Sequence, residues 1–161
     1  MKQQHRLPMC TQRHFDERQT FVTLSHKKDD DWYQVASELV REHAALHNVD
    51  ASGLRDSVME VSRKGALDLA TLISTGSLLY GPRYSAQQRD HERDSCLSDV
   101  LDSVGEGARY FTNHGEAEEG DDANFLASAF HVNALAETAL DVCLIGVSHD
   151  SILILWRFED D

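Results

Sequence analysis

The sequence predicts a single α+β domain, with four to five helices packed on one face of a small antiparallel sheet of about three strands. Three observations predict it. Residues 142–161 hold two apolar, β-branched runs, Val142–Val147 and Ile152–Phe158, on either side of Ser148-His-Asp-Ser151, the composition of a β-hairpin. Gln19–Ser25 (Gln-Thr-Phe-Val-Thr-Leu-Ser) alternates as a half-buried strand does. Between them, apolar residues recur at three- and four-residue steps, the period of amphipathic helices. A hairpin alone is marginal in water, so a third strand and a helical layer must cover it.

In chain order, residues 1–18 are polar, carry Pro8 and lack an apolar period, which reads as a flexible N-terminal tail ahead of a domain spanning 19–161. His26 to Asp31 is a charged turn whose aspartates suit a helix N-terminus. Trp32, Val35, Ala36, Leu39, Val40, His43 and Leu46 form one stripe of a helix running to about Asn48. The same period resumes with Leu54, Val58 and Val61 and continues to Lys64, with Gly65 as a kink. Residues 66–80 are apolar on most of their circumference, as in a central helix ended by Gly81-Pro82. The polar segment 83–95 reads as an exposed loop or the solvated first turns of a helix. Leu97, Val100, Leu101, Val104, Ala108 and Phe111 continue the helical period despite Gly105 and Gly107. An acidic loop over 113–122 then precedes a helix bearing Phe125, Ala129, Val132, Leu135, Ala136, Ala139 and Leu140. If no other strand covers Ile152–Phe158, that open edge predicts pairing with a second copy, a homodimer.

Charge and cysteine usage narrow the function classes. The net charge is −13, and residues 110–161 hold a single basic residue, Arg157, against eleven acids. Such a field repels phosphate and anionic lipid and steers a basic protein, so neither direct nucleic-acid binding nor a membrane partner is expected. The interleaving of Arg83, Arg89 and Arg93 with Asp90, Glu92 and Asp94 reads as a solvated face. Cys10, Cys96 and Cys143 are odd in number and scattered, which predicts reduced thiols, the last two as small core residues. Without an apolar N-terminal core or a run near the roughly 20 apolar residues of a membrane span, the expected location is the cytoplasm.

No catalytic signature emerges. The chain has no Gly-x-Ser-x-Gly elbow, no phosphate-cradling glycine loop and no His-Glu-x-x-His. His149-Asp150 is accounted for as turn chemistry. The expectation is a non-catalytic protein without a cofactor that binds another protein, as an inhibitor, immunity or adaptor factor does. Its contact residues would be Glu116, Glu118, Glu119, Asp121 and Asp122, together with Glu159, Asp160 and Asp161. Two alternatives stand beside it. One is a metal-dependent enzyme using His43 and His47, one helical turn apart, with Glu42. The other is an acidic nucleic-acid mimic that occupies the cleft of a DNA- or RNA-binding protein.

Overall fold

The computed structural model describes residues 6–27, 31–75, 90–126, 131–138 and 140–160. Among these residues, five antiparallel strands form one sheet: β1 (Thr20–His26), β2 (Met59–Val61), β3 (Arg109–Thr112), β4 (Leu140–Val147) and β5 (Ser151–Glu159), in the order β1-β5-β4-β3-β2. The helices among the described residues are α1 (Thr11–His14), α2 (Trp32–Val40), α3 (Ala51–Ser57), α4 (Arg63–Ser74) and α5 (His91–Asp102), with 3₁₀ segments at Ala44–Leu46 and Gly115–Asp122. The α+β class, the C-terminal hairpin and the N-terminal strand stand as the sequence predicts.

The number of layers differs from expectation. Helices cover both faces of the sheet, giving a three-layer arrangement. Val142 and Leu144 of β4 and Leu153 and Leu155 of β5 share one core with α4 and α5. Their alternates, Cys143, Ile145, Ile152, Ile154, Trp156 and Phe158, form a second core with α2 and α3. This explains why residues 142–147 and 152–158 are apolar without alternation: strands buried on both sides need hydrophobic side chains at every position.

β5 lies between β1 and β4, with Thr20 opposite Arg157 on one side and Cys143 opposite Trp156 on the other. Ile152–Phe158 is therefore an interior strand, and the open edge that predicted a homodimer does not exist. The reason is geometric: β1 occupies the position that a second copy would have taken.

Three predicted helices end early or are absent. The stripe from Trp32 to Asn48 stops at Val40, and the chain reforms as a 3₁₀ turn capped by His43, whose Nδ1 accepts from the Ala45 N–H at 3.1 Å. The period through Leu54, Val58 and Val61 divides into α3 and the short edge strand β2. Ser62 then caps α4, accepting from the Gly65 N–H at 3.1 Å, so Gly65 sits in a first turn and produces no kink. The run from Leu97 to Phe111 is cut by a turn in which Gly105 and Gly107 adopt φ of 105° and 72°, a conformation other residues resist. Beyond it the chain is β3.

The predicted helix over 123–140 is not one among the described residues. His131 to Asn133 extend the pairing of β3: the Gly115 N–H donates to the His131 carbonyl at 2.7 Å and the Asn133 N–H to the Asn113 carbonyl at 2.9 Å. Phe125, Leu126 and Val132 pack in the first core, whereas Leu135 and Ala136 pack in the second. Residues spaced like one helical stripe in fact serve both layers as the chain passes around the sheet's end. Residues 76–89, with the expected Gly81-Pro82 stop and most of the basic face, lie outside the described residues; from Asp90 onward the polar segment is the first turns of α5, with Asp90 accepting from the Arg93 N–H.

The N-terminus also departs from expectation. Cys10 and Cys96 form a disulfide, so the reduced-thiol reading holds only for Cys143, which is buried. Their separation of 86 residues hid the pairing: a lone bridge between a polar tail and a helix has no local signature. Phe15 is buried in the first core.

Candidate functional site

The acidic segment begins where β3 ends, and a buried polar network fixes its start. The Thr112 hydroxyl donates to the Cys143 carbonyl at 2.7 Å and accepts from the His114 N–H at 3.1 Å. Asn113 bridges two strands: its Oδ1 accepts from the Cys143 N–H at 2.9 Å, while its Nδ2 donates to Asp141 Oδ2 at 3.2 Å. Asp141 also accepts from Trp156 Nε1 at 3.1 Å and from the Leu135 N–H at 3.2 Å. Burial pushes its carboxyl upward, opposed by these donors and by the backbone of Ala136. Asn113, Asp141 and Trp156 are each fully buried, so the network is a rigid anchor.

His114 caps the 3₁₀ segment, its Nδ1 accepting from the Glu116 N–H at 3.1 Å, which places the neutral ring's proton on Nε2. The ring stands edge-on to Phe125 at 5.2 Å and to His131 at 5.5 Å. Burial, with His131 adding to it and Glu116 opposing, pushes its pKa down to about 4. A folded-state value below the ordinary 6.5 means that the unfolded chain takes up the proton first. The stability owed to neutral His114 is thus complete above pH 6.5 and is lost as pH falls toward 4, by about 3 kcal/mol in all. Urea midpoints measured between pH 7 and 4.5 should fall more steeply for the wild type than for His114→Asn. Parallel slopes would remove His114 from the account.

Gly115 leaves room for the His131 ring, which a Cβ at that position would meet and have to displace. Glu116 is turned inward, accepting from the Asn124 N–H at 3.0 Å with His131 Nε2 at 3.8 Å, and its side chain is only 16% exposed. Ala117 is buried. Glu118, Glu119, Asp121 and Asp122 face solvent on both sides of Gly120, which at φ 60° reverses the segment. This turn rests on β2 and the start of α4. Between them is a small cleft of about 100 Å³ with Asp121 on one wall and Glu60, Lys64 and Asp68 on the other. Arg109 holds the Glu60 carboxyl low by a two-pronged hydrogen bond at 3.1 and 2.7 Å, whereas partial burial raises that of Asp68.

The predicted acidic residues thus separate. Glu118, Glu119, Asp121 and Asp122 form one exposed surface, while Glu116 is a clasp for the loop behind it. Glu159 is a correction: its carboxylate is 7% exposed and bonded to Arg157 Nε at 2.5 Å, so it presents no charge to a partner. Asp160 is exposed just beyond β5, at the same end of the sheet as the acidic turn, and Asp161 lies outside the described residues. Thr112 stands level with Leu144 and Leu155, so Asp160, five residues further along and two strands across, has its backbone about 20 Å from the end of β3.

The histidines are dispersed. His43 is half-buried against Phe158 at 4.6 Å, and Glu42 is exposed beside it. His47 is exposed, with Nδ1 at 2.6 Å from the Ala44 carbonyl and Nε2 at 4.0 Å from Glu137. The helix that would have set the two imidazoles on one face ends before either. Among the described residues, no three His, Cys, Asp or Glu side chains come together in a way that could hold a metal ion.

Sequence reasoning missed Asp141 and Arg157 as buried groups, although each is a lone charge inside an apolar strand, and that was the available signal. Among the described residues, no helix is long and apolar enough to cross a membrane. No known protein family, curated protein or solved structure matches this chain.

Proposed function

We propose that this protein acts by binding a basic protein partner at the surface formed by Glu118, Glu119, Asp121 and Asp122, without catalysis and without a cofactor. One observation carries the reading. The sole Lys or Arg of residues 110–161, Arg157, is 4% exposed and bonded within the core, so this third of the chain turns acids, and no lysine or arginine, toward solvent. A short turn anchored by a buried network holds those carboxylates in place, which limits the entropy lost on contact. Opposite charge would act chiefly on the rate of encounter. The compartment proposed for this activity is the cytoplasm, where a bond such as Cys10–Cys96 is transient.

The test compares the wild type with a variant carrying Glu118→Gln, Glu119→Gln, Asp121→Asn and Asp122→Asn as bait in extracts of the native host. A partner held by this surface is retained by the wild type, released by salt and lost from the variant, and its association slows about tenfold or more between low and physiological salt. A partner that binds both baits equally, with an on-rate indifferent to salt, overturns the reading.

A further inference from the structure

The N-terminal segment is attached in two ways. From Phe15 onward it belongs to the core: Phe15 is buried, and Thr20 opens β1. Residues 6–14 are held differently. α1 is a four-residue helix, its Thr11 hydroxyl bonds locally to the Pro8 carbonyl, and Met9 is 92% exposed. The Arg13–Glu92 ion pair to α5 has both side chains two-thirds exposed, a kind of contact that holds little. Leu7 touches the core edge, and a groove of about 320 Å³ runs beside it, lined by Leu7, Met9 and Thr11 of the segment and by Phe15 and Val22. Beside the packing of Leu7 and Cys10 at the edge of the first core and the burial of Thr11, the Cys10–Cys96 bond, spanning 6.0 Å between Cα atoms, is the covalent tie between this segment and α5.

Its two sulfurs differ in access. Cys10 is half-buried at the surface of the segment, whereas Cys96 is 3% exposed inside α5. Exchange depends on which sulfur an external thiolate reaches, and here that is Cys10. We propose that Cys10–Cys96 is a redox-operated latch: its reduction by a dithiol protein or small dithiol frees residues 6–14 from α5 while the sheet and both cores stay folded.

The chemistry balances. A thiolate of the reductant attacks Cys10 Sγ, the S–S bond breaks, and Cys96 leaves as a thiolate that takes up a proton. The reductant's second thiol then displaces Cys10 from the mixed disulfide. Two electrons and two protons pass to the protein, and the dithiol becomes a disulfide. The rest survives because the sheet's centre owes nothing to the latch: Cys143 to Ile145 and Ile152 to Trp156 are fully buried by α2, α3, α4 and α5.

Cys143, fully buried in the second core, is a built-in reporter that separates local release from unfolding. Burial also raises its thiol pKa, keeping it unreactive while the core is intact. The full chain is purified without reductant and its thiols are counted with a chromogenic disulfide reagent. Before reduction, one thiol is expected in denaturant and none in the native protein. After treatment with dithiothreitol and its removal, two thiols are expected to react in the native protein. Trypsin cleavage after Arg13 should accelerate at least tenfold, with β3 to β5 undigested. Cys10→Ser should show the fast cleavage without reductant and no further response to it. Three reactive thiols in the unreduced, denatured protein would show that no bond forms. Three in the reduced native protein, with digestion throughout, would make the bridge a staple of the whole fold. An unchanged cleavage rate would show that the segment stays docked. Each of these outcomes overturns the latch.

Discussion

Replacing Asp141 with alanine is expected to lower stability by about 3–5 kcal/mol, more than the usual core truncation of its size. The carboxylate accepts from Asn113, Trp156 and the Leu135 backbone, and the first two of these donors belong to fully buried residues. Leaving a buried donor unsatisfied costs about 1–3 kcal/mol, and relaxation recovers only part of that for three. Asp141→Asn should cost less, because its amide retains an acceptor for one side of the network while turning an NH₂ toward the other. The measurement is the urea midpoint at pH 7, with the slope checked so that a change in the denatured state is not mistaken for lost stability. An alanine variant within 1 kcal/mol of wild type would mean that the network is not the anchor of the acidic turn.

The second large effect is expected at Arg157. Its guanidinium is bonded to Glu159 at 2.5 Å, to Gln19 Oε1 at 2.9 Å and to the Ile73 carbonyl at 3.2 Å, so it also satisfies a carbonyl in the last turn of α4. Arg157→Met leaves Glu159 buried without its cation and should cost about 3–5 kcal/mol. Combining it with Glu159→Leu removes that buried carboxylate as well and should recover most of the loss, since a packed apolar pair often matches or exceeds a buried ion pair. A double variant as unstable as the sum of its singles would show that the two side chains do not act as a pair.

How much of this was legible in the sequence depends on whether the signal was local. The hairpin and β1 were readable because β-branched runs and turn residues lie next to each other. The single helical layer was misread for a physical reason: apolar residues at every position of β4 and β5 already required cover on both faces. That unbroken pattern stands in the sequence itself and implies two helical layers, not one. β2 and β3 were hidden because three or four residues are too few to show a period, and their neighbours supply helical spacing by coincidence. In the acidic turn the charges were legible, but not which of them point outward. Glu116 and Glu159 are withdrawn by partners at His131, Asn124 and Arg157 that only the fold brings near. Cys10 and Cys96 belong to the same class, being neighbours in space with nothing shared along the chain.

The position of β5 between β1 and β4 bears on the order in which the molecule can assemble. Thr20 has its partner at Arg157, so a nascent chain carries its first strand, and the helices meant to cover it, before the strand that organises them exists. Helices α2 to α5, of seven to twelve residues, are too short to hold alone in water, so their apolar faces find lasting cover only when β4 and β5 arrive together as a hairpin. Closure over nearly the whole chain then completes the sheet in a late step, and that delay is when aggregation competes with folding.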